Sequence, residues 1–405
     1  KETGEGLIHT NNPQSGIIKG GLFMKIRLLS TVICAAIVST MVMGCSSGAS
    51  APATTAAAAA APETVVKDTT AGDTEAAKAD GAVDYSDVTV EIVAKGFQHD
   101  FWKAVKMGSE QAAEDLGLKS TNFVGPASES AVAEQIEQLN NAVNKAPSAI
   151  CLAALDTQAS LDAISNAQAA NIPIVGFDSG VPDAPAGSIV ANAATDNYAA
   201  GGLAAEKLYE MIKDKVTAPT EEVRIGVVSQ DATSQSIGER TGGFIDRMRT
   251  LVGEDKCMVV GHDKYNKAVD GAKVIIDVGI PATVDDAACV TVANTLLNKN
   301  DLIAIYASNE FTAKNLVTAN ESLQVLGVDK VIGVGFDSGA IQLDAIKSGV
   351  LAGSITQNPV QIGYQAVTLA AKAAKGEPVE DVDTGALWYD SANMDSAEVA
   401  PCLYK

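Results

Sequence analysis

The chain has 405 residues, room for about two or three domains, and 47% of them are apolar, so a large buried core is available. Its formal charge is −21. That excludes nucleic acid as a partner, because phosphate binding needs clustered Lys and Arg. Three histidines, and six cysteines without C-x-x-C spacing, leave no expected metal site and no expected cofactor.

In chain order, residues 1–23 fit neither a leader nor a domain. They are read as upstream of the true start, which is placed at Met24. Lys25 and Arg27 then form a positive region, and Leu28 to Met43 an apolar one. This is the pattern of a secretory signal, too short for a membrane span. Its end, Val42-Met43-Gly44-Cys45, resembles a bacterial lipoprotein signal, which implies lipidation at Cys45 and attachment to the outer face of the cytoplasmic membrane. Residues 24–45 are the expected signal peptide. Residues 46–86, rich in Ala, Thr, Ser, Asp and Glu, read as a disordered tether with a reach of about 35 Å.

From Asp87 the pattern changes. "VTVEIVA" at 88–94 reads as a strand. A helix over 100–117 follows, with Phe101, Val105, Gly108, Ala112 and Leu116 on one face and Gly117 as its stop. A helix through Val132, Ile136, Leu139 and Val143 leads to the strand "AICLAAL" at 149–155. The helix 161–171 leads to the strand "IPIVGF" at 172–177. The alternation restarts with the strand 223–229. Helix 241–252, strand 273–280, helix 285–298, strand 302–308, helix 311–327 and strand 331–336 come after it. Wholly apolar strands joined by helices indicate parallel sheets covered on both faces. The expected fold is α/β, two doubly wound parallel-sheet lobes. Cys151, in an apolar strand, reads as a buried thiol, and the pattern pairs none of Cys151, Cys257, Cys289 and Cys402.

"VGFDSG" occurs twice, at 175–180 and 334–339. Each copy closes a strand, so Asp178 and Asp337 are the first residues beyond a strand's carboxyl end, where ligands bind in such sheets. The plain alternative is a carboxylate capping the next turn. Two copies at matching strand ends favour the ligand role, with one acid from each lobe facing a shared cleft.

In order along the chain, "IVAKGFQHDFW", "IPIVGFDSG", "ATDNYAAGGLAAEKL", "GERTGGF", "IYASNE", "VGFDSG" and "SITQNPVQIGY" resemble extracytoplasmic sugar-binding proteins of ABC transporters, of the ribose-binding type. The resemblance runs from about Val88 to the C-terminus and implies a type I periplasmic-binding-protein-like fold with a three-segment hinge. The implied lobes are 87–195 with 358–384, and 196–357 with 385–405. Phe101, Trp102, Asp178, Arg240, Asn309, Asp337 and Gln357 are the implied sugar contacts. Their chemistry is apt independently: aromatic faces for C–H edges, and fixed donors and acceptors for hydroxyls. Trp102 lies out of phase with the helix core, beside polar residues. Arg240 has a bland alternative, a surface pair with Glu239 or Asp246.

Departures put the particular sugar in doubt. Ser179 stands where ribose binders carry arginine. Lys95 occupies a position used by binders of autoinducer-2 and some deoxysugars; it and His99 either face the cleft or are solvated neighbours of it. Residues 254–272 read as an insertion. The implied function is capture of a monosaccharide or polyol between the lobes, by a monomer, with delivery to ABC permease and ATPase subunits. A sensor subunit serving a membrane receptor, and a binder of autoinducer-2 or a deoxysugar, are alternatives on the same fold. A remote one is a glycoside-acting enzyme using Asp178 and Asp337 as acid and base. A repressor with this fold conflicts with the secretory signal and the acidic charge.

Overall fold

The computed structural model describes residues 83–405. The start at Met24, the signal peptide 24–45, Cys45 and the tether up to residue 82 lie outside the described residues. The tether's last residues do not behave as a tether. Tyr85 packs against apolar core residues and donates its hydroxyl proton to Glu377 at 2.6 Å, so packed structure begins before Asp87.

The described chain forms two parallel-sheet lobes, as its uninterrupted apolar strands demand. The first sheet contains β1 (Thr89–Val93), β2 (Ser120–Val124), β3 (Ala149–Leu152), β4 (Ile174–Phe177) and β5 (Ile189–Ala194), in the order β2-β1-β3-β4-β5. The second contains β6 (Val223–Val228), β7 (Cys257–Val260), β8 (Val274–Gly279), β9 (Leu302–Ala307), β10 (Ile332–Phe336) and β11 (Gly353–Gln357), in the order β7-β8-β6-β9-β10-β11. Setting aside β7, the two orders correspond strand for strand. β4 and β10 therefore hold the same place in their lobes. The short β12 (Val382–Asp383) pairs parallel with β5, and β13 (Ala386–Tyr389) pairs antiparallel with β11.

β2 has no apolar run to mark it, because it is an edge strand with no fully buried residue. β7 lies inside the stretch read as an insertion. That stretch instead supplies the outermost strand of the second sheet, pairing parallel with β8.

Among the described residues, nine helices cover the sheets: α1 (Asp100–Asp115), α2 (Val132–Asn144), α3 (Leu161–Ala169), α4 (Asn197–Val216), α5 (Gln235–Val252), α6 (Asp286–Leu297), α7 (Glu310–Leu323), α8 (Ala340–Lys347) and α9 (Pro359–Ala374). The chain passes between sheets three times: from β5 to α4, from β11 to α9, and from β12 to β13. Two of these passages end at an N-cap. Asp196 accepts from Ala199 N at 2.9 Å, and Asn358 accepts from Gln361 N at 3.2 Å ahead of Pro359.

Each lobe is tied together by one close helix pair, α1 with α9 and α4 with α5. A Cβ on Gly108 of α1 would sit 1.9 Å from the Val360 carbonyl oxygen of α9. A Cβ on Gly201 of α4 would sit 2.2 Å from the Arg240 carbonyl oxygen of α5. The helices touch backbone to backbone there, and the second contact sets the height of Arg240. The four described cysteines are free and buried, and burial pushes the Cys257 thiol up to about 12.

Gly108→Ala is expected to lower the unfolding free energy by about 1–3 kcal/mol through overpacking. Gly238→Ala, in α5 with nothing within 4 Å of the added carbon, should leave stability unchanged or raise it by up to about 1 kcal/mol. Urea melts of both variants check the contrast.

Candidate ligand site between the lobes

Strand-end loops of both lobes contribute to one cavity between them. The loop after β1 brings Lys95 and His99, and the first turn of α1 brings Phe101 and Trp102. Asp178 directly follows β4 and Asp337 follows β10; Arg240 stands on α5, Asn309 caps α7, and Gln357 closes β11. These nine residues, singled out from the sequence, line the cavity. Ser179, the tenth, does not: it is buried behind the wall, and its hydroxyl accepts from Ser236 N at 3.4 Å. The cavity holds about 310 Å³ of empty space, with open solvent at its mouth included.

The two motif copies adopt the same unusual backbone and different chemistry. Asp178 has φ 55° and Asp337 φ 69°, both in the left-handed region. Asp tolerates that region better than most residues, but it still has to be held there. Asp337 is held tightly. Its carbonyl accepts from Tyr389 Oη at 2.8 Å, Gln342 Nε2 at 2.9 Å and Ser354 Oγ at 2.9 Å. Its carboxylate accepts from Gln357 Nε2 at 2.6 Å, from Glu310 N at 3.2 Å and from Arg240 Nη1 at 3.5 Å. Asp178 accepts one bond at its carbonyl, from Asn197 Nδ2 at 3.4 Å. Its carboxylate takes none from the described residues, although only 4% of the residue is exposed. Neither side chain caps its own turn.

Arg240 makes no surface pair. Glu239 is taken by Gln235 and Asp246 by Tyr198, while Arg240 lies buried over the Phe336 ring, 4.0 Å from its centroid. Its Nε donates to Asn197 Oδ1 at 2.8 Å. Asn309 is divided between tasks. Its side-chain oxygen accepts from Thr312 N at 3.0 Å as the α7 cap, and its amide donates to Gln230. Trp102 is buried despite its phase, stacked edge-on against Phe101 at 5.0 Å and Phe177 at 6.2 Å, with its indole N–H turned to Glu129 at 2.8 Å.

Five participants went unnoticed in the sequence, Ile237 of α5 among them. Glu129, on the loop after β2, is buried between Lys95 Nζ at 3.8 Å and His99 Nε2 at 3.9 Å. Burial works against its charge, yet Lys95, His99, Trp102 and Gln230 outweigh it and hold the carboxyl below its ordinary value. Gln230, at the end of β6, reaches across from the second lobe to Glu129 Oε2 at 2.8 Å. Ser236 lies in the first turn of α5. Glu310 of the second lobe accepts from Phe101 N at 3.4 Å, so it caps α1 of the first. The strand-end rule applied to "VVSQD" would have found Gln230. Glu129 was hidden because β2 carries no strand signal.

Burial sets the protonation of the free acids. It pushes Asp178 up to about 6, with Lys95 and Arg240 opposing the rise. It pushes Glu310 up to about 8, with Asp337 adding to the rise. Burial also drives the His99 imidazole down, toward its neutral form. A larger pocket of about 910 Å³, open solvent included, lies beyond Asp178 against the hinge, among Asn192, Gln235, Glu239 and Asp381. Lys95, Arg240 and the aromatic pair face the enclosed cavity, not that pocket.

A cavity between two hinged lobes, lined from both by strand-end polar groups, defines a two-lobed solute-binding protein. The chain belongs to the periplasmic binding protein family, matching the periplasmic binding protein domain over residues 90–378. The ribose import binding protein of Haemophilus influenzae is 26% identical over 293 residues, covering 72% of this chain and 87% of that protein. A solved structure described as an ABC transporter, LacI family transcriptional regulator, from Brachyspira murdochii is 37% identical. It superposes with a TM-score of 0.68 over 79% of this chain and 99% of that one. An ABC transporter solute-binding protein from Agrobacterium vitis with bound D-fucose is 30% identical, with a TM-score of 0.66 over 78% and 100%. Sugar-binding proteins of ABC transporters act outside the cytoplasm and are not enzymes.

Asp337→Ala should cost about 3–5 kcal/mol of stability, because it strands the buried Arg240 charge. Asp178→Ala should cost far less, since no bond is lost at that carboxylate; urea melts distinguish the two. A carboxyl raised by folding favours the native state at low pH, and that contribution is lost as pH rises through its folded value. Glu310→Gln is therefore expected to flatten the fall in melting temperature between pH 5 and pH 8, measured without ligand.

Proposed function

We propose that this chain captures a single monosaccharide in the interlobe cavity and presents the closed form to an ABC permease and its ATPase. The observation that carries the reading is the meeting of nine polar and aromatic residues from both lobes around one cavity. Phe101 and Trp102 supply apolar faces, and Asp178, Arg240, Asn309, Asp337 and Gln357 supply directed hydrogen bonds. Lys95, His99 and Glu129 form the remaining polar wall. Ser179 acts only from behind it, through Ser236.

The three passages between sheets act as the hinge, which divides the chain into lobes of 83–195 with 358–384 and 196–357 with 385–405. Ligand favours closure because only the closed form lets both lobes touch it at once. The protein works as a monomer held to the outer face of the cytoplasmic membrane by lipid on Cys45. The relatives support the sugar class: they include a ribose import binding protein, a D-allose-binding protein and complexes with D-arabinose and D-fucose.

A thermal-shift screen against pentoses, hexoses, polyols and autoinducer-2 tests the ligand class. A sugar at 100 times its Kd should add about 2.7 kcal/mol of stability. Asp178→Ala should remove that gain while keeping the fold. If no sugar or polyol raises the melting temperature, the reading fails.

A further inference from the structure

One acid on the cavity wall is built into the gap between the lobes. Glu310 begins α7 of the second lobe, and its Oε2 accepts from Phe101 N, in the first turn of α1 of the first lobe, at 3.4 Å. Its other oxygen packs on the second lobe: an added Cβ on Gly339 would lie 3.0 Å from Oε1. Glu310 also lines two spaces at once. One is the ligand cavity. The other is an outer pocket of about 520 Å³, open solvent included, where Gln98 and Asp100 of the first lobe face Lys314 and Ile341 of the second. The side chain is a partition between cavity and outside, and the lobes meet on it.

Its surroundings suit a neutral carboxyl. The Asp337 carboxylate lies beside it, accepting from Glu310 N at 3.2 Å, and Asp100 faces it from α1. Lys103 of α1 attracts it from a distance but pairs with Asp100, and Lys314 of α7 pairs with Asp286 at 2.8 Å. Neither lysine forms an ion pair with Glu310. The other ionisable groups around it are His99 on the β1–α1 loop, Arg240 on α5, which is paired with Asp337, Tyr389 on β13 and Tyr404 near the C-terminus. Burial and Asp337 together outweigh the Phe101 N–H and push the carboxyl up to about 8. Parting the lobes takes α1 off this side chain and returns water to it, which restores an ordinary carboxylate near ~4.3.

We propose that Glu310 couples closure of the cleft to uptake of a proton: its carboxyl is protonated as the lobes close over it and ionises as they part. This rests on the hinge reading above and adds a regulation to that same site. A carboxyl raised in the closed form favours closure at low pH, and the contribution is lost as pH rises through its closed-state value. The cleft therefore holds its ligand more firmly in acidic than in alkaline surroundings.

Single-molecule energy transfer on the full chain reads closure directly, with dyes attached through azidophenylalanine at the exposed Met107 of α1 and Val328 of the second lobe. D-ribose, D-allose, D-arabinose and D-fucose, added in turn at pH 7, mark the closed distance. The window from pH 7 to pH 9 isolates Glu310. Asp178, at about 6, and His99, driven below its ordinary value, have largely given up their protons before it. Without sugar, the closed-to-open ratio is expected to fall about tenfold across that window. Glu310→Gln cannot ionise and still offers Phe101 N an acceptor, so its ratio is expected to stay constant within about twofold. A wild-type ratio that does not fall, or a Glu310→Gln ratio that falls as the wild type does, would overturn the proton coupling and leave the hinge standing. One unchanging distance at every pH and with every sugar would bring down hinge and coupling together.

Discussion

The contact between Arg240 and Asp337 organises the molecule. A guanidinium removed from water is tolerable only when it is paired and hydrogen-bonded. Arg240 meets that demand with Asn197 at the start of α4 and with Asp337 and the Phe336 ring at the end of β10. Asp337 can reach it only from a left-handed backbone at the end of β10. Tyr389, Gln342 and Ser354 converge on its carbonyl to keep it there. The strained residue is held by its neighbours, as such residues must be. The second lobe's half of the site is in this sense a packed polar core that happens to face a cavity.

Two of the same partners stand at the passages between lobes. Asn197 begins α4 just after the first crossing, and Gln357 ends β11 just before the second. Residues that hold Arg240 and Asp337 are thus fixed to the segments that bend. Across the gap, Gln230 grips Glu129 and Glu310 caps α1, so closure makes specific bonds between the lobes besides any made to a ligand. Those bonds lower the share of closure that the ligand itself must supply. The backbone contact at Gly201 couples the same network to the α4–α5 pair.

The two copies of "VGFDSG" show how identical letters acquire different roles. Both occupy the fourth strand position of a corresponding order, and both place aspartate in left-handed backbone. One carboxylate is saturated by Gln357, Glu310 and Arg240; the other is left free. Even the closing glycines differ. Gly339 has φ 112° and starts α8, whereas Gly180 has no such backbone and is hemmed in by the Gln235 side chain. The difference arises outside the motif, in what the facing helix carries.

Local pattern determined a good deal here. Wholly apolar strands alternating with amphipathic helices dictate covered parallel sheets, and a strand-end aspartate falls on the ligand edge of such a sheet by topology alone. Lys95, Asp178, Arg240, Asn309, Asp337 and Gln357 were legible because they follow directly from strand ends or ordered motifs. What stayed hidden depended on long-range pairing. β2 is an edge strand with too little burial to leave an apolar signature, and Glu129 was lost with it; β7 is a short apolar edge strand inside a stretch that aligned with nothing. Trp102 lay out of phase with its helix face because helical phase counts only one packing partner, while Phe177 and Glu129 of the same lobe supply others. Only the tertiary structure decided that Ser179 faces away from the cavity, that Arg240 is spent on Asp337, and that Asp178 is not spent at all. Those are questions of which charges meet across tens or hundreds of residues, and local periodicity carries no record of that.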